Sequence, residues 1–198
     1  RGLGDVYKRQ KYNRQAIRRI AEGRTVLDCF THTGAFALNA AAAGAKLVNA
    51  VDISADAVEM TRRNAELNGL SGNMEFTKAD VFDLLTELYR QGGHPYDFII
   101  LDPPAFTKSS STVKSAERGY KEINLKAMRL LPRGGYLATC SCSHFMTETL
   151  FRHMLHDAAA DAGVSLRQIE ARRQSPDHPI LWNVPETDYL KFYIFQVV

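Results

Sequence analysis

Apolar positions along this chain recur with two periods. In residues 11–22 (KYNRQAIRRIAE), Tyr12, Ala16, Ile17 and Ile20 share one helical face while Lys11, Arg14 and Arg18 share another. This spacing predicts a short amphipathic helix, with Gly23 able to end it. TVLDCF (25–30) is a short apolar run, followed by a THTG turn and an alanine-rich helical stretch closed by Gly44. The alternation then repeats. KLVNAVDIS reads as a strand and Ser54 as the cap of a helix reaching about Asn68. NMEFTKAD precedes the amphipathic VFDLLTELYRQ, and YDFIILDPP is continuously apolar, as a strand buried on both faces must be. A polar loop, TKSSSTVKS, leads to a helix over 116–131; GGYLATCSCS is a fifth strand, followed by a helix over 147–162. SLRQIEARRQ and YLKFYIFQV are two late strands with no helical pattern between them.

Five strands alternating with helices demand a parallel, doubly wound sheet. The closing pair adds two strands, one of them antiparallel. The predicted fold class is therefore α/β, a Rossmann-like, mostly parallel, seven-stranded sheet with an antiparallel C-terminal strand. At 198 residues the chain suits one domain with a sizeable core, and its 45% hydrophobic and 24% charged content is ordinary for a globular protein. A net charge of +3 says little about a polyanionic partner. Cys29, Cys140 and Cys142 are odd in number and form no C-x-x-C pair, which argues against a disulfide framework or a zinc site and for a reducing cytoplasm. No metal site is expected. No run of eighteen apolar residues exists to cross a membrane, and RGLGDVYKRQ lacks the apolar stretch of a signal peptide.

In doubly wound sheets, ligands bind beyond the carboxyl ends of the strands. Acids recur there: Asp28, Asp52, Asp80 and Asp102. Each one alone reads as a helix N-cap; four in series point to a site. The first turn, DCFTHTG, is not a dinucleotide fingerprint, because Phe30, Thr31, His32 and Thr33 stand where a pyrophosphate needs glycines. One glycine, Gly34, suffices for a ligand made of a nucleoside and an amino acid. Asp52, 24 positions beyond Asp28, suits the two ribose hydroxyls, and Asp80 is placed to reach an adenine amino group. Such a ligand is S-adenosylmethionine. Ile53 and Val81, each following one of these acids, join the candidate cofactor set. In LDPPAF, Asp102 is followed by Pro103 and Pro104, which fix φ and donate no N–H, so the loop has a rigid start.

These features resemble the class I S-adenosylmethionine-dependent methyltransferases. More narrowly, KYNRQAIR, VLDCFTHTGAFALNA, AVDIS, KADVFD, LDPPAFTKS, RGYKEINLKA, TCSCS and ETDYLK are similar to the bacterial large-subunit ribosomal RNA cytosine-5 methyltransferases that carry an N-terminal PUA domain. The resemblance covers residues 11–198, the expected catalytic domain. It implies Phe30 to Gly34 and Asp52 around the cofactor, with Asp80 and Asp102 completing the pocket, and Cys142 as nucleophile. It also implies large-subunit ribosomal RNA as partner. The family's PUA domain and connecting segment have no counterpart in these residues, and GDVYKRQ stands where the family shows an LDQ- or LDH-like stretch. Residues 1–10 are therefore set aside as a linker or foreign segment. The oligomeric state is left open, a homodimer among the options.

A cysteine has a clear use in this chemistry. Carbon 5 of cytosine is too weak a nucleophile until a thiolate adds at carbon 6, which is covalent catalysis by an activated cysteine. An ordinary thiol is only about 3% ionised at pH 7, so the site must help. Asp102 is the candidate to hold the cytosine edge and favour a proton at ring nitrogen 3. Cys140 and Cys142 share a face if the strand persists, but Cys142 lies at or past its tip; Cys140 and Cys29 read as core. Phe106 and Tyr120 are candidate stacking partners for the base, and Lys108 heads a set of basic residues (Lys114, Arg118, Lys121) suited to phosphates. The rival readings are an amino-group N-methyltransferase, disfavoured by Ala105 after the prolines, a nicotinamide dehydrogenase, and a non-catalytic RNA-binding remnant.

Overall fold

The computed structural model describes residues 10–106 and 109–198. Seven strands form one sheet: β1 (Thr25–Cys29), β2 (Leu47–Asp52), β3 (Met74–Lys78), β4 (Phe98–Leu101), β5 (Tyr136–Ser141), β6 (Leu166–Arg172) and β7 (Lys191–Val197). Their order is β3-β2-β1-β4-β5-β7-β6. Pairings from β3 through β5 are parallel, and β7 runs antiparallel to both of its neighbours. The sequence-based fold class is the one observed. The reversal of strand order falls between β1 and β4, where a doubly wound sheet opens a crevice at its carboxyl edge.

The helices are α1 (Lys11–Ala16), α2 (Arg18–Ala21), α3 (Ala35–Ala42), α4 (Ala55–Leu67), α5 (Val81–Gln91), α6 (Val113–Leu130) and α7 (Glu148–Ala162). They cover both faces, and strand residues alternate between two cores. Val26, Phe98, Ile100, Ala138 and Cys140 pack with Ile17 between α1 and α2, Ile20 of α2, and Phe36 and Ala40 of α3. Leu27, Cys29, Ile99, Leu101 and Leu137 pack with Leu85, Tyr120, Ile123 and Phe151 of α5, α6 and α7. β4, FIIL, is buried at every position, which explains its unbroken apolar run. β6 is the exposed edge, and a register irregularity at Gln168/Glu170 together with its charged side chains blunts it.

Two boundaries differ from the sequence-based expectation. The helix expected over 11–22 is broken at Ile17, whose carbonyl accepts from both Ile20 and Ala21. The long helix α6 begins three residues before 116, because Val113 to Ser115 continue its turn.

Candidate active site

A cavity of about 560 Å³ opens at the carboxyl edge between β1 and β4, a size ordinary for a small-molecule site. Its wall is built from the first turn, the tip of β2, the double-proline loop and the residue after β5. Phe30, Thr31, Thr33, Asp52, Ile53, Asp102, Pro103, Pro104 and Cys142, all expected at the site, do line it.

The first turn is held in an uncommon backbone. Phe30 and His32 both adopt positive φ, 62° and 54°, where side chains crowd the backbone and the surroundings must compensate. Compensation comes from neighbouring elements. Asp52 accepts from the His32 amide at 2.9 Å and from the Ser54 amide at 3.0 Å, tying the turn to the tip of β2. Asn64 of α4 donates to the Thr33 carbonyl at 2.9 Å. Gly34 does not line the cavity. At φ +82° it starts α3, and a Cβ there would stand 2.5 Å from Thr61 Cγ2, so the glycine permits close approach of α3 and α4.

Asp28, in β1, is only 1% exposed and does not line the cavity. Its Oδ2 accepts from Thr31 Oγ1 at 2.6 Å and the Ala37 amide at 3.0 Å, while its buried Oδ1 has no hydrogen-bond partner. Burial, above all, raises its pKa to about 7; the Asp102 charge adds to the rise, and Thr31, Ala37 and Arg14 oppose it. Of the two acids only Asp102 lines the cavity, with Arg14 also in its wall. The carboxylate of Asp102 suits a cationic ligand, and S-adenosylmethionine carries both an ammonium and a sulfonium. At the other end, Asp52 retains acceptor capacity for hydroxyls, and Ile53, 64% exposed, offers an apolar plate beside it. The residues fit that cofactor and do not fit a pyrophosphate.

Asp102 follows β4. Both of its oxygens accept from Gln10 Nε2, at 2.8 and 2.9 Å, and the Cys140 thiol donates to Gln10 Oε1 at 3.7 Å. Gln10 lines the cavity and is almost fully buried, so setting it aside with residues 1–10 misses a member of the site. Of the three thiols, Cys29 and Cys140 are buried, and burial pushes both well above the usual range. Cys142, the first residue beyond β5, is half-buried and opens on the cavity.

Several expected residues lie elsewhere. Asp80 caps α5 by accepting from the Phe82 and Asp83 amides, and Val81 is buried beside Leu85; neither lines the cavity. Tyr120 is 0% exposed, its hydroxyl accepting from Ser141 Oγ at 3.2 Å and its pKa pushed by burial to about 12. Phe106 packs on Tyr120 at 4.6 Å between ring centroids and also contacts Phe82 and Phe30. Tyr120 thus belongs to the core and half-buried Phe106 packs against it; neither lines the cavity, which corrects the stacking role expected of Tyr120. Lys121 is paired with Asp161, and Lys108 lies outside the described residues.

Sheet order, crevice and a glycine-poor first turn together define the class I methyltransferase architecture. Solved structures agree. A proposed methyltransferase complexed with SAH superposes with a TM-score of 0.84 at 24% identity, over 95% of this chain and 49% of that one. TrmN from Thermus thermophilus gives 0.65 at 26%, over 93% and 48%. A sequence profile for the S-adenosylmethionine-dependent methyltransferases matches residues 4–195. Ribosomal RNA large subunit methyltransferase I of Aeromonas hydrophila is 47% identical over 93% of this chain and 47% of its own length. The protein of the same name from Erwinia tasmaniensis is 46% identical over 97% and 48%. The chain belongs to the S-adenosylmethionine-dependent methyltransferase family. It spans about half the length of the curated relatives it matches. Among the described residues, no helix is long and apolar enough to cross a membrane.

Proposed function

We propose that this chain methylates carbon 5 of a cytosine in large-subunit ribosomal RNA, through a transient bond between Cys142 and the base. The observation that carries the reading is that Cys142, alone of the three cysteines, opens on the cavity that Asp102 also lines. The names of the relatives support ribosomal RNA as the substrate class.

S-adenosylmethionine, when bound, supplies an electrophilic methyl group. Asp52 would hold the ribose hydroxyls, Ile53 would cover the adenine, and Asp102 would face the cationic end. Cys142 as thiolate forms a bond to carbon 6 of the cytosine, which makes carbon 5 enamine-like and able to take the methyl. Asp102 orients the base edge and favours the proton at nitrogen 3, so that the electron pair has a neutral ring to enter. Loss of the carbon 5 proton to solvent then places that pair in the carbon 5–carbon 6 double bond, the Cys142 thiolate leaves with the carbon–sulfur pair, and the proton at nitrogen 3 returns to solvent. The target base must leave its stack to enter a cavity of this depth.

The test is an RNA carrying 5-fluorocytosine, whose fluorine replaces the proton that must leave and so traps the bond. Mass spectrometry should find the adduct on Cys142, and Cys142→Ala should abolish adduct and methylation while Cys140→Ala and Cys29→Ala keep both. Methylation that survives Cys142→Ala would overturn the covalent mechanism and favour transfer to an amino group.

A further inference from the structure

Lys191 opens β7, opposite Ser141 of β5, and is 5% exposed between Leu190 and Phe192, which are fully buried. An ammonium so placed requires compensation. It is held by two neutral acceptors: Lys191 Nζ donates to the carbonyl of Ser143 at 2.6 Å and to that of Tyr189 at 2.8 Å. The two carboxylates closest in influence, Glu148 and Asp188, are each already bonded to Arg173. The first acceptor belongs to the residue immediately after Cys142. A buried positive charge therefore grips the backbone that carries the cavity's one accessible thiol.

We infer that Lys191 is a positioning residue for Cys142, fixing the turn that carries the thiol and supplying the positive charge that keeps it ionised. The inference rests on the covalent reading of Cys142. Burial lowers the Lys191 pKa to about 8, and the charges that oppose this fall are Asp188, then Cys142, then Glu148. Such coupling is reciprocal: an anion at Cys142 that favours the ammonium is favoured by it equally. Among the described residues, the other titratable groups near this end of the sheet are these. Asp102 beyond β4 carries negative charge; Tyr120 of α6 and Cys140 of β5 are held neutral by burial, and Arg14 of α1 is shared with Asp28. Arg173, a second cation near Lys191, is paired with Glu148 and Asp188.

The experiment is the pH dependence of Cys142 alkylation by iodoacetamide in the whole chain, with the site mapped by mass spectrometry. Lys191→Met should move the midpoint upward and slow alkylation at pH 7 by on the order of tenfold, the effect of one unit in thiol pKa. Lys191→Arg should restore most of the rate. An unmoved midpoint in a folded Lys191→Met chain overturns the inference. Should that variant not fold, carbon-13 NMR of lysine-labelled unsubstituted protein should show one lysine titrating near 8, falling further in Cys142→Ser. A lysine that ignores Cys142→Ser also overturns it. Neither measurement uses RNA or cofactor, so intact coupling without an adduct on fluorinated RNA would refute the covalent reading alone.

Discussion

Gly34→Ala is the sharpest probe of how the first turn is built. The residue sits at φ +82°, and an added Cβ would stand 2.5 Å from Thr61 Cγ2 and 3.2 Å from its Cβ and Oγ1. Thr61 has nowhere to go: it is fully buried, and its hydroxyl donates to the carbonyls of Ala57 and His32. The left-handed backbone costs an alanine about 1–2 kcal/mol. Overpacking against a fixed methyl adds about 1–3 kcal/mol, so Gly34→Ala should lose about 2–5 kcal/mol in all. Thr61→Ser removes the clashing methyl, keeps the hydroxyl, and should itself cost about 1 kcal/mol. If the close approach is real, the double variant should recover about 1–3 kcal/mol relative to the sum of the singles. Urea unfolding of the four chains at one pH measures this, with the slope checked for constancy. Additivity within about 0.5 kcal/mol would refute the reasoning, leaving backbone strain as the whole cost.

Two further predictions concern the acids. Asp28 has a folded pKa raised to about 7, so between about pH 4 and 7 the folded state binds a proton that the unfolded state releases. Stability should therefore fall as pH rises through that window, by up to about 1.4 kcal/mol per unit. The decline should vanish in Asp28→Asn, measured by urea unfolding across the range; parallel curves for the two chains would count against it. Asp52→Ala should weaken S-adenosylmethionine binding by about 1–3 kcal/mol in calorimetry, since it removes a charged acceptor and frees the His32 amide. Undiminished affinity would move the ribose elsewhere.

The sheet was legible because its information is local. Each strand is a short apolar run and each helix a spaced stripe, and the burial of FIIL on both faces follows from having no polar position. The distinction between Cys140 and Cys142 was legible too, from alternation and the strand's end. Gln10 was not: it meets Asp102 across 92 positions, and nothing in RGLGDVYKRQ announces that pairing. Tyr120 carries the signal of a core position, for Ala116, Tyr120, Ile123 and Ala127 follow the helical spacing of a buried face. Asp80 shows the limit of reading acids in series, because its neighbouring amides claim it as a cap. Lys191 could have been noticed as the lone charge in YLKFYIFQV, where only a specific partner justifies burial.

The position of β7 has a consequence for how the chain assembles. β7, which follows β6 in the chain, enters the sheet between β5 and β6 rather than at its rim. Until it arrives, β6 has no ladder to join, and β5 presents a bare apolar border. A chain emerging during synthesis thus carries two unsatisfied strand edges at once, the condition in which strands pair with the wrong neighbour. The same insertion delivers Lys191 to the carbonyl beside Cys142. Completion of the sheet and completion of the thiol's surroundings are therefore one event, and a chain stalled before β7 holds its cysteine without the charge that would rouse it.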